Sequence, residues 1–385
     1  LNEPLDLLDQ YLVENSLSEG GSVMHNCKTL FALILLILLC DELLADEFYI
    51  DSPRNKGTLR IEIDNDLIWG DDSNFTSGLS IQYNTACYRG WNNTETLGLI
   101  KWVGKHFPTL NDNDSIVRNS HGIGQNIITP GDIESEIPQE GDLPYAGTLT
   151  YTLSWQSFNR KNARNFQVTV GVMGQESFAG QLQKFTHNDL GLGPGPQGWD
   201  TQRDTEPLLN IGYQYAWCIA NLGEYQNKWA GQLSLAPSAS LGNLFTAVEL
   251  IAAFRFGWNI LEGFASYPAP QGFGFLQSSY LPKPSSASPH AFEIIMDVGG
   301  TGLLYSVIYD GSFITDDDRD VERNGCYFSA GIGIAYHYYD FFSIRATVQK
   351  STDLLDKNSL PTPPAGRRKT EADLSFGSLI VDFLF

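Results

Sequence analysis

Gly57 to Leu67 reads G-T-L-R-I-E-I-D-N-D-L. Leu59, Ile61 and Ile63 alternate with Arg60, Glu62 and Asp64. That is the two-residue period of a strand with one apolar and one polar face. Comparable runs recur at Leu79 to Cys87, Thr148 to Phe158, Phe166 to Met173, Leu208 to Trp217, Trp229 to Ala239 and Thr246 to Trp258. Further runs are Ala291 to Val298, Leu303 to Ile308, Gly325 to Tyr338, Phe341 to Lys350 and Ala372 to Phe385. Several are about ten residues long, which lets a tilted strand cross a bilayer. Gly, Asn, Asp and Pro fill the gaps and make turns. The pattern predicts an all-β protein, a closed antiparallel transmembrane β-barrel of about 12 strands. Closure is a physical demand, because lipid cannot satisfy an unpaired strand edge. Leu379, Val381, Phe383 and Phe385 share one face of the last run, and bacterial outer-membrane barrels commonly end on an aromatic. The competing reading is a soluble β-sandwich whose last strand ends in Phe.

Composition agrees with a barrel. The chain has 385 residues, a formal charge of -21, 12% aromatic residues and 37 glycines. Acidity of this kind (pI ≈ 4.5) repels nucleic acid and attracts cations. The longest apolar run, Leu30 to Leu39, is too short to span a membrane as a helix. Met24 and Lys28 precede it and Ala45 follows, which reads as a signal peptide starting near Met24 and cleaved around Ala45. Residues 1–45 are therefore expected to be a leader with an upstream extension, and 46–385 the outer-membrane barrel. Past the leader, Cys87, Cys218 and Cys326 are far apart and form no C-x-x-C, so zinc ligation is unsupported.

One segment breaks the strand pattern. Ser177 to Leu190 reads S-F-A-G-Q-L-Q-K-F-T-H-N-D-L. Phe178, Leu182 and Phe185 fall at helical spacing, with Ser177 as N-cap and Gly191 as stop. The spacing predicts a short rim helix near 177–190, with His187 roughly opposite its apolar stripe. Within a barrel, such a helix belongs to a loop or the rim.

Asp64-Asn65-Asp66, Thr76-Ser77-Gly78 and His187 supply carboxylate, amide, hydroxyl and imidazole. Those are the parts needed for calcium-assisted ester hydrolysis. An imidazole titrates near working pH and can take a proton from water. Calcium takes oxygen ligands, which Asp66 and Asn65 carry. Alternation puts Asp66 on the polar face and Asn65 on the apolar one, so both serve one site only where the strand ends. Each motif also has a plainer reading: Asp-Asn-Asp and Thr-Ser-Gly as turns, His187 as a surface or hydrogen-bonded residue. Asp142 reads as a loop lock, Trp199 as an interfacial anchor of the rim, and Asp316-Asp317-Asp318 with Asp320 as a solvated loop.

Taken together, several segments resemble the lipid A 3-O-deacylase family of outer-membrane barrel enzymes. They are Asn65-Asp66, Phe75-Thr76-Ser77-Gly78-Leu79, Gly124-Gln125-Asn126-Ile127 with Thr129-Pro130, and Asp142 with Pro144-Tyr145-Ala146-Gly147. Gln183 with His187, Gly198-Trp199-Asp200-Thr201-Gln202, Glu206-Pro207, Gly242-Asn243 and Arg255, Gly257 and Asn259 complete the set. The resemblance implies a twelve-stranded barrel with a site on the outer rim, between the wall and a helix. It implies calcium-dependent removal of the 3-linked acyl chain of lipid A or lipopolysaccharide among outer-membrane lipids. By the same resemblance His187, Thr76 and Asn65 are the catalytic set, and Asp66 and Asn65 hold the metal. Family members carry a glutamate shortly after the histidine to orient it. Here Asn188 to Gly193 contains none, and Asp189 or Glu206 are the candidates to replace it. A non-catalytic barrel, structural or a pore, and a phospholipase or acyltransferase on the same scaffold are the alternatives.

Overall fold

The computed structural model describes residues 57–66, 74–112, 114–189, 194–265, 278–281, 283–284, 286–315, 317 and 321–385, without the side chains of Asn74 and Thr76. The expected leader, 1–45, lies outside the described residues. Twelve strands form the wall: β1 Thr58–Asn65, β2 Asn74–Asn84, β3 Ile116–Thr129, β4 Ala146–Phe158, β5 Asn162–Met173 and β6 Glu206–Gly223. They continue as β7 Trp229–Gly242, β8 Thr246–Trp258, β9 His290–Tyr305, β10 Cys326–Tyr338, β11 Phe342–Asp353 and β12 Asp373–Leu384. Each strand pairs antiparallel with its sequence neighbours. β1 closes the cylinder on β12, from Thr58 opposite Leu384 to Asn65 opposite Gly377. No helix among the described residues is long and apolar enough to cross a membrane.

The alternation read in the sequence sorts side chains into lumen and lipid faces. Arg60 and Asp64 point inward at 4% and 3% exposure, while Ile63 between them is 46% exposed. Leu379 and Phe383 of β12 face outward as expected, and Ser378 and Ile380 face inward. The expected count of strands holds, but its parts differ. β3 is a full strand that alternation does not show, and Ala291 to Val298 and Leu303 to Tyr305 are one strand, β9. Val307–Asp310 beyond it is a helical turn.

Tight turns 159–161, 224–228 and 339–341 lie at the end that also holds Thr58 and Leu384. Outer-membrane barrels keep short turns on the periplasmic side, which makes this the periplasmic end. The opposite end carries the longer segments 130–145, 174–205, 306–325 and 354–372, with one tight turn at 243–245. Two longer segments at the periplasmic end fold back onto the barrel. Residues 85–115 carry the helix α1, Gly98–His106, and dock outside the wall. Of the segment 259–289, the described residues reach into the lumen, where Arg60 Nη2 donates to Ser278 Oγ at 2.9 Å and Tyr280 Oη donates to Glu293 at 3.1 Å. Tyr339 Oη accepts from Leu261 N at 3.1 Å and donates to the Asn259 carbonyl at 3.2 Å.

Side chains fill the outer end of the lumen. There Phe75, Ile128, Met173, Leu208 and Phe376 pack against Phe245, Val307, Ile308, Leu354 and Leu355 from the segments crossing above. Toward the periplasm charged pairs stand beside a second apolar cluster that includes Ile116, Phe158 and Phe264. Arg255 pairs with Glu293 at 3.1 Å with both side chains 1% exposed. Arg60 grips Asp382 through two bonds of 2.7 and 3.1 Å. Asp317 corrects the expectation of a solvated loop: it is 6% exposed and pairs with Arg203 at 3.1 Å. Asp316, Asp318 and Asp320 lie outside the described residues. Cys87 and Cys218 are in no disulfide.

Removing one member of a buried ion pair strands the other. Arg60→Met is expected to cost about 3 kcal/mol. The check is the urea midpoint of the protein in lipid vesicles. Arg60→Met combined with Asp382→Leu should recover most of the loss, because the orphaned carboxylate goes with it.

Candidate active site

The outer ends of β1 to β4 form one cross-strand row. Asn65 pairs with Ser77, Ser77 with Ile127, and Ile127 with Gly147. Directly paired residues share a face, and these four share the outward face with Ile63. Strands are about 4.8 Å apart, so Asn65 lies roughly 10 Å from Ile127 along the wall. Asp64, Gly78, Asn126 and Thr148 form the matching inward row. A Cβ on Gly78 would stand 3.1 Å from Asp64 Oδ2 and 3.2 Å from Asn126 Oδ1, so those two side chains close over the glycine. Asp66 follows Asn65 just past the strand end, on the inward parity, and is 3% exposed.

Thr76 is the extra residue of a β-bulge. Phe75 pairs with Ile128 and Ser77 with Ile127, and no partner stands opposite Thr76. A bulge bends its strand and takes one residue off the regular ladder. The Thr76 side chain lies outside the described residues.

The rim helix α2, Ala179–Lys184, continues as a single π turn, Phe185–Asp189. It packs on the outer wall over β3 and β4. Ala179 and Trp199 join Ile127, Ile133 and Tyr145 in one buried cluster, with Leu182 at its margin. Small residues allow this approach: a Cβ on Gly147 would be 2.2 Å from Ala179 Cβ, and one on Gly180 would be 2.9 Å from the Trp199 ring. Gln125 Nε2 donates to the Ser177 carbonyl at 2.5 Å and ties the helix start to β3. Ser177 is not the N-cap expected of it. It ends a preceding 3-10 turn, and Phe178, at φ 59, takes the cap position without a side-chain bond. The expected stop, Gly191, lies outside the described residues.

His187 lies opposite Phe178 and Phe185, as the spacing predicted. Phe178 and Phe185 are 60% and 50% exposed, Leu182 is half-buried against the wall, and Gln183 and His187 are buried. His187 Nδ1 contacts the Pro194 carbonyl at 2.8 Å. A carbonyl only accepts, so Nδ1 carries the proton and Nε2 is the basic nitrogen. A main-chain carbonyl thus stands where a glutamate was sought. Asp189 is exposed, and Glu206 is engaged elsewhere, accepting from Asn243 Nδ2 at 2.8 Å and from the Ser312 hydroxyl. Asn188 Oδ1 lies against Gly195, where a Cβ would be 2.3 Å away, so the Pro194-Gly195 segment is seated on the helix end. π turns are enriched at functional sites, and this one carries the histidine.

Trp199 is a brace rather than an interfacial anchor. It is 2% exposed, and its indole donates to Gln183 Oε1 at 2.7 Å. Tyr145 leans on it at 5.0 Å between ring centroids and donates to the Ile133 carbonyl at 2.8 Å. Asp142 does lock loops, accepting from Leu143 N at 2.7 Å and from the Thr370 hydroxyl. Burial pushes its carboxyl up, and the bonds from Thr370 and Leu143 act against that. Gln183 is the functional candidate that residue-level reading passed over. It sits one turn before His187 on the same face, its oxygen is held by Trp199, and its buried Nε2 meets no acceptor among the described residues. The four-residue spacing to His187 was the available signal.

The structure therefore brings Asn65, Ser77 and the His187 helix to one stretch of outer wall, with Asp66 and the Thr76 bulge at its edge. The close seat predicts that Gly147→Val lifts the helix. Amide exchange over residues 179–189 should quicken at least about tenfold, equivalent to a loss of about 1.4 kcal/mol of local stability. Exchange in β7 to β10 should stay unchanged.

Among solved structures, LpxR from Salmonella typhimurium aligns with a TM-score of 0.63 at 15% identity, covering 85% of this chain and 100% of that one. That likeness concerns the fold. The β-domain of a Bordetella autotransporter (TM-score 0.35, 9% identity, 86% and 97% covered) and an outer membrane channel from Pseudomonas putida F1 (0.37, 10%, 89% and 100%) are more distant and carry no argument. No curated protein sequence matches the chain. The family model described as outer membrane protein LpxR matches residues 30–361, most of the chain. The protein belongs to the LpxR family of outer membrane proteins and is an outer-membrane β-barrel.

Proposed function

We propose that this protein hydrolyses an ester-linked acyl chain, the 3-linked chain of lipid A, at the outer rim of its barrel. The observation that carries the reading is His187 held by Nδ1 against the Pro194 carbonyl, on a helix packed over the outward row that begins at Asn65. Its position supports a lipid substrate. The row and the helix lie on the lipid side of the wall, at the end opposite the periplasmic turns. In an outer membrane that end meets the leaflet that carries lipid A.

His187 Nε2 takes a proton from the attacking water, and the Pro194 carbonyl holds the ring in that tautomer. The orienting group is neutral. It fixes direction without the charge that a carboxylate would add to stabilise the imidazolium. Thr76 offers its hydroxyl or its N–H from the bulge to the developing oxyanion. Gln183 Nε2, with its partner oxygen fixed by Trp199, is a second donor facing the wall. Phe178 and Phe185 present an apolar surface to acyl chains beside the site.

Asp66 and Asn65 supply the oxygen donors that calcium takes. Among the described residues no group of three or more His, Cys, Asp and Glu could hold a metal, so backbone, water and substrate oxygens would complete the shell. When bound there, calcium supplies Lewis-acid polarisation of the ester carbonyl. A pore is disfavoured by the packing that fills the lumen at its outer end and the ion pairs below.

Mass spectrometry of lipid A from cells with and without the protein tests the reading. Loss of one 3-linked acyl chain is expected, removed by a calcium chelator and restored by calcium. His187→Ala should lower the rate by about a hundredfold or more. Unchanged lipid A with calcium present would leave a barrel without chemistry, and altered phospholipids would point to a phospholipase or acyltransferase.

A further inference from the structure

A second helix lies on the outer wall, at the periplasmic end. α1 is braced from beneath. The Trp155 indole donates to the Ile100 carbonyl at 2.8 Å, and a Cβ on Gly104 would be 2.3 Å from the Trp91 ring. Phe107 stacks on Phe166 of β5 at 4.5 Å and on Tyr213 of β6 at 5.9 Å. Trp155, Phe166 and Tyr213 have the outward parity of their strands, so α1 covers the lipid-facing surface of β4 to β6.

Its other face is bare. Leu97, Leu99 and Trp102 are 75%, 73% and 58% exposed. Elsewhere around this end, aromatic side chains form an outward belt: Trp229 stacks on Phe256 at 5.4 Å, and Tyr83 on Phe385 at 6.1 Å. Such belts mark the bilayer interface. α1 spans the remaining arc and carries Trp102 into it. In a chain of net charge -21, Gly98–His106 holds Lys101 and Lys105 and no acid. A short amphipathic helix with bare apolar residues and lysines fits the boundary between acyl chains and anionic headgroups.

We propose that α1 is an interfacial helix seated in the phospholipid headgroup layer of the periplasmic leaflet, completing the aromatic belt and setting the depth of the wall that carries His187. The occupant of its bare face is lipid, because that face continues the lipid-facing surface of the barrel and its charge suits anionic headgroups.

The test uses the full chain in vesicles of phosphatidylethanolamine and phosphatidylglycerol, and in isolated outer membranes. A benzophenone side chain replaces Trp102 or, in a second variant, Leu99. Replacing Ile123, 58% exposed on the wall, gives the lipid control, and Arg368, on an exposed segment at the far end, the aqueous control. After illumination, phospholipid adducts at both α1 positions should match Ile123 and exceed Arg368 by at least about tenfold. Adducts at the level of Arg368, or adducts to another polypeptide in isolated membranes, would overturn the proposal. Two exposed positions keep the outcome readable if either substitution impairs folding.

Discussion

The antiparallel ladder between β1 and β12 is the constraint from which the other features follow. Bilayer hydrocarbon offers no hydrogen-bond partner, so every backbone group in the wall must find one in a neighbouring strand. Eight paired residues, Thr58 to Asn65 against Leu384 to Gly377, join the two ends of the sheet. That closure assigns each alternate residue to lumen or lipid. Arg60 and Asp64 are inward because Ile61 and Ile63 must be outward. Asn65, the next outward residue, then begins the row that runs through Ser77 and Ile127 to Gly147 beneath the helix.

The helix is possible only because the wall is thin beneath it. Gly147 on the strand and Ala179 on the helix let two backbones meet where any larger pair would clash. Trp199 and Tyr145 then fill the outer side. The imidazole is thereby set by packing and by the bond between its Nδ1 and the Pro194 carbonyl. A main-chain carbonyl fixes the direction of the ring and adds no full charge beside it.

Much of this was legible in the sequence. Thr246 to Trp258 was bounded to the residue, and the outward face of β12 was read correctly. The strand total came out right by two errors of opposite sign. β3, I-V-R-N-S-H-G-I-G-Q-N-I-I-T, lacks alternation because lipid touches little of it. Val117 lies in the α1 cluster, Gln125 reaches Ser177, Ile127 lies under α2, and Ile123 is the outward residue left heavily exposed. β9 seemed to break at Gly299-Gly300-Thr301-Gly302, a turn-like string. There the glycines serve close packing, since a Cβ on Gly299 would lie 3.3 Å from Ile251 and from Ser329. The candidate site residues were read from residue type and order. The Pro194 carbonyl could not be, because a main-chain acceptor has no residue signature. Trp199 was misplaced for a related reason: an indole suits both an interface and a buried brace, and only its Gln183 partner decides.

The plugged interior has a consequence for the cell. Apolar residues cross one mouth of the cylinder, and Ser278 and Tyr280 enter the other beside the Arg60–Asp382 pair. A barrel occupied in this way adds little free passage for small solutes to the membrane that holds it. Lipid chemistry on its outer rim, as proposed, would then need no opening through its centre.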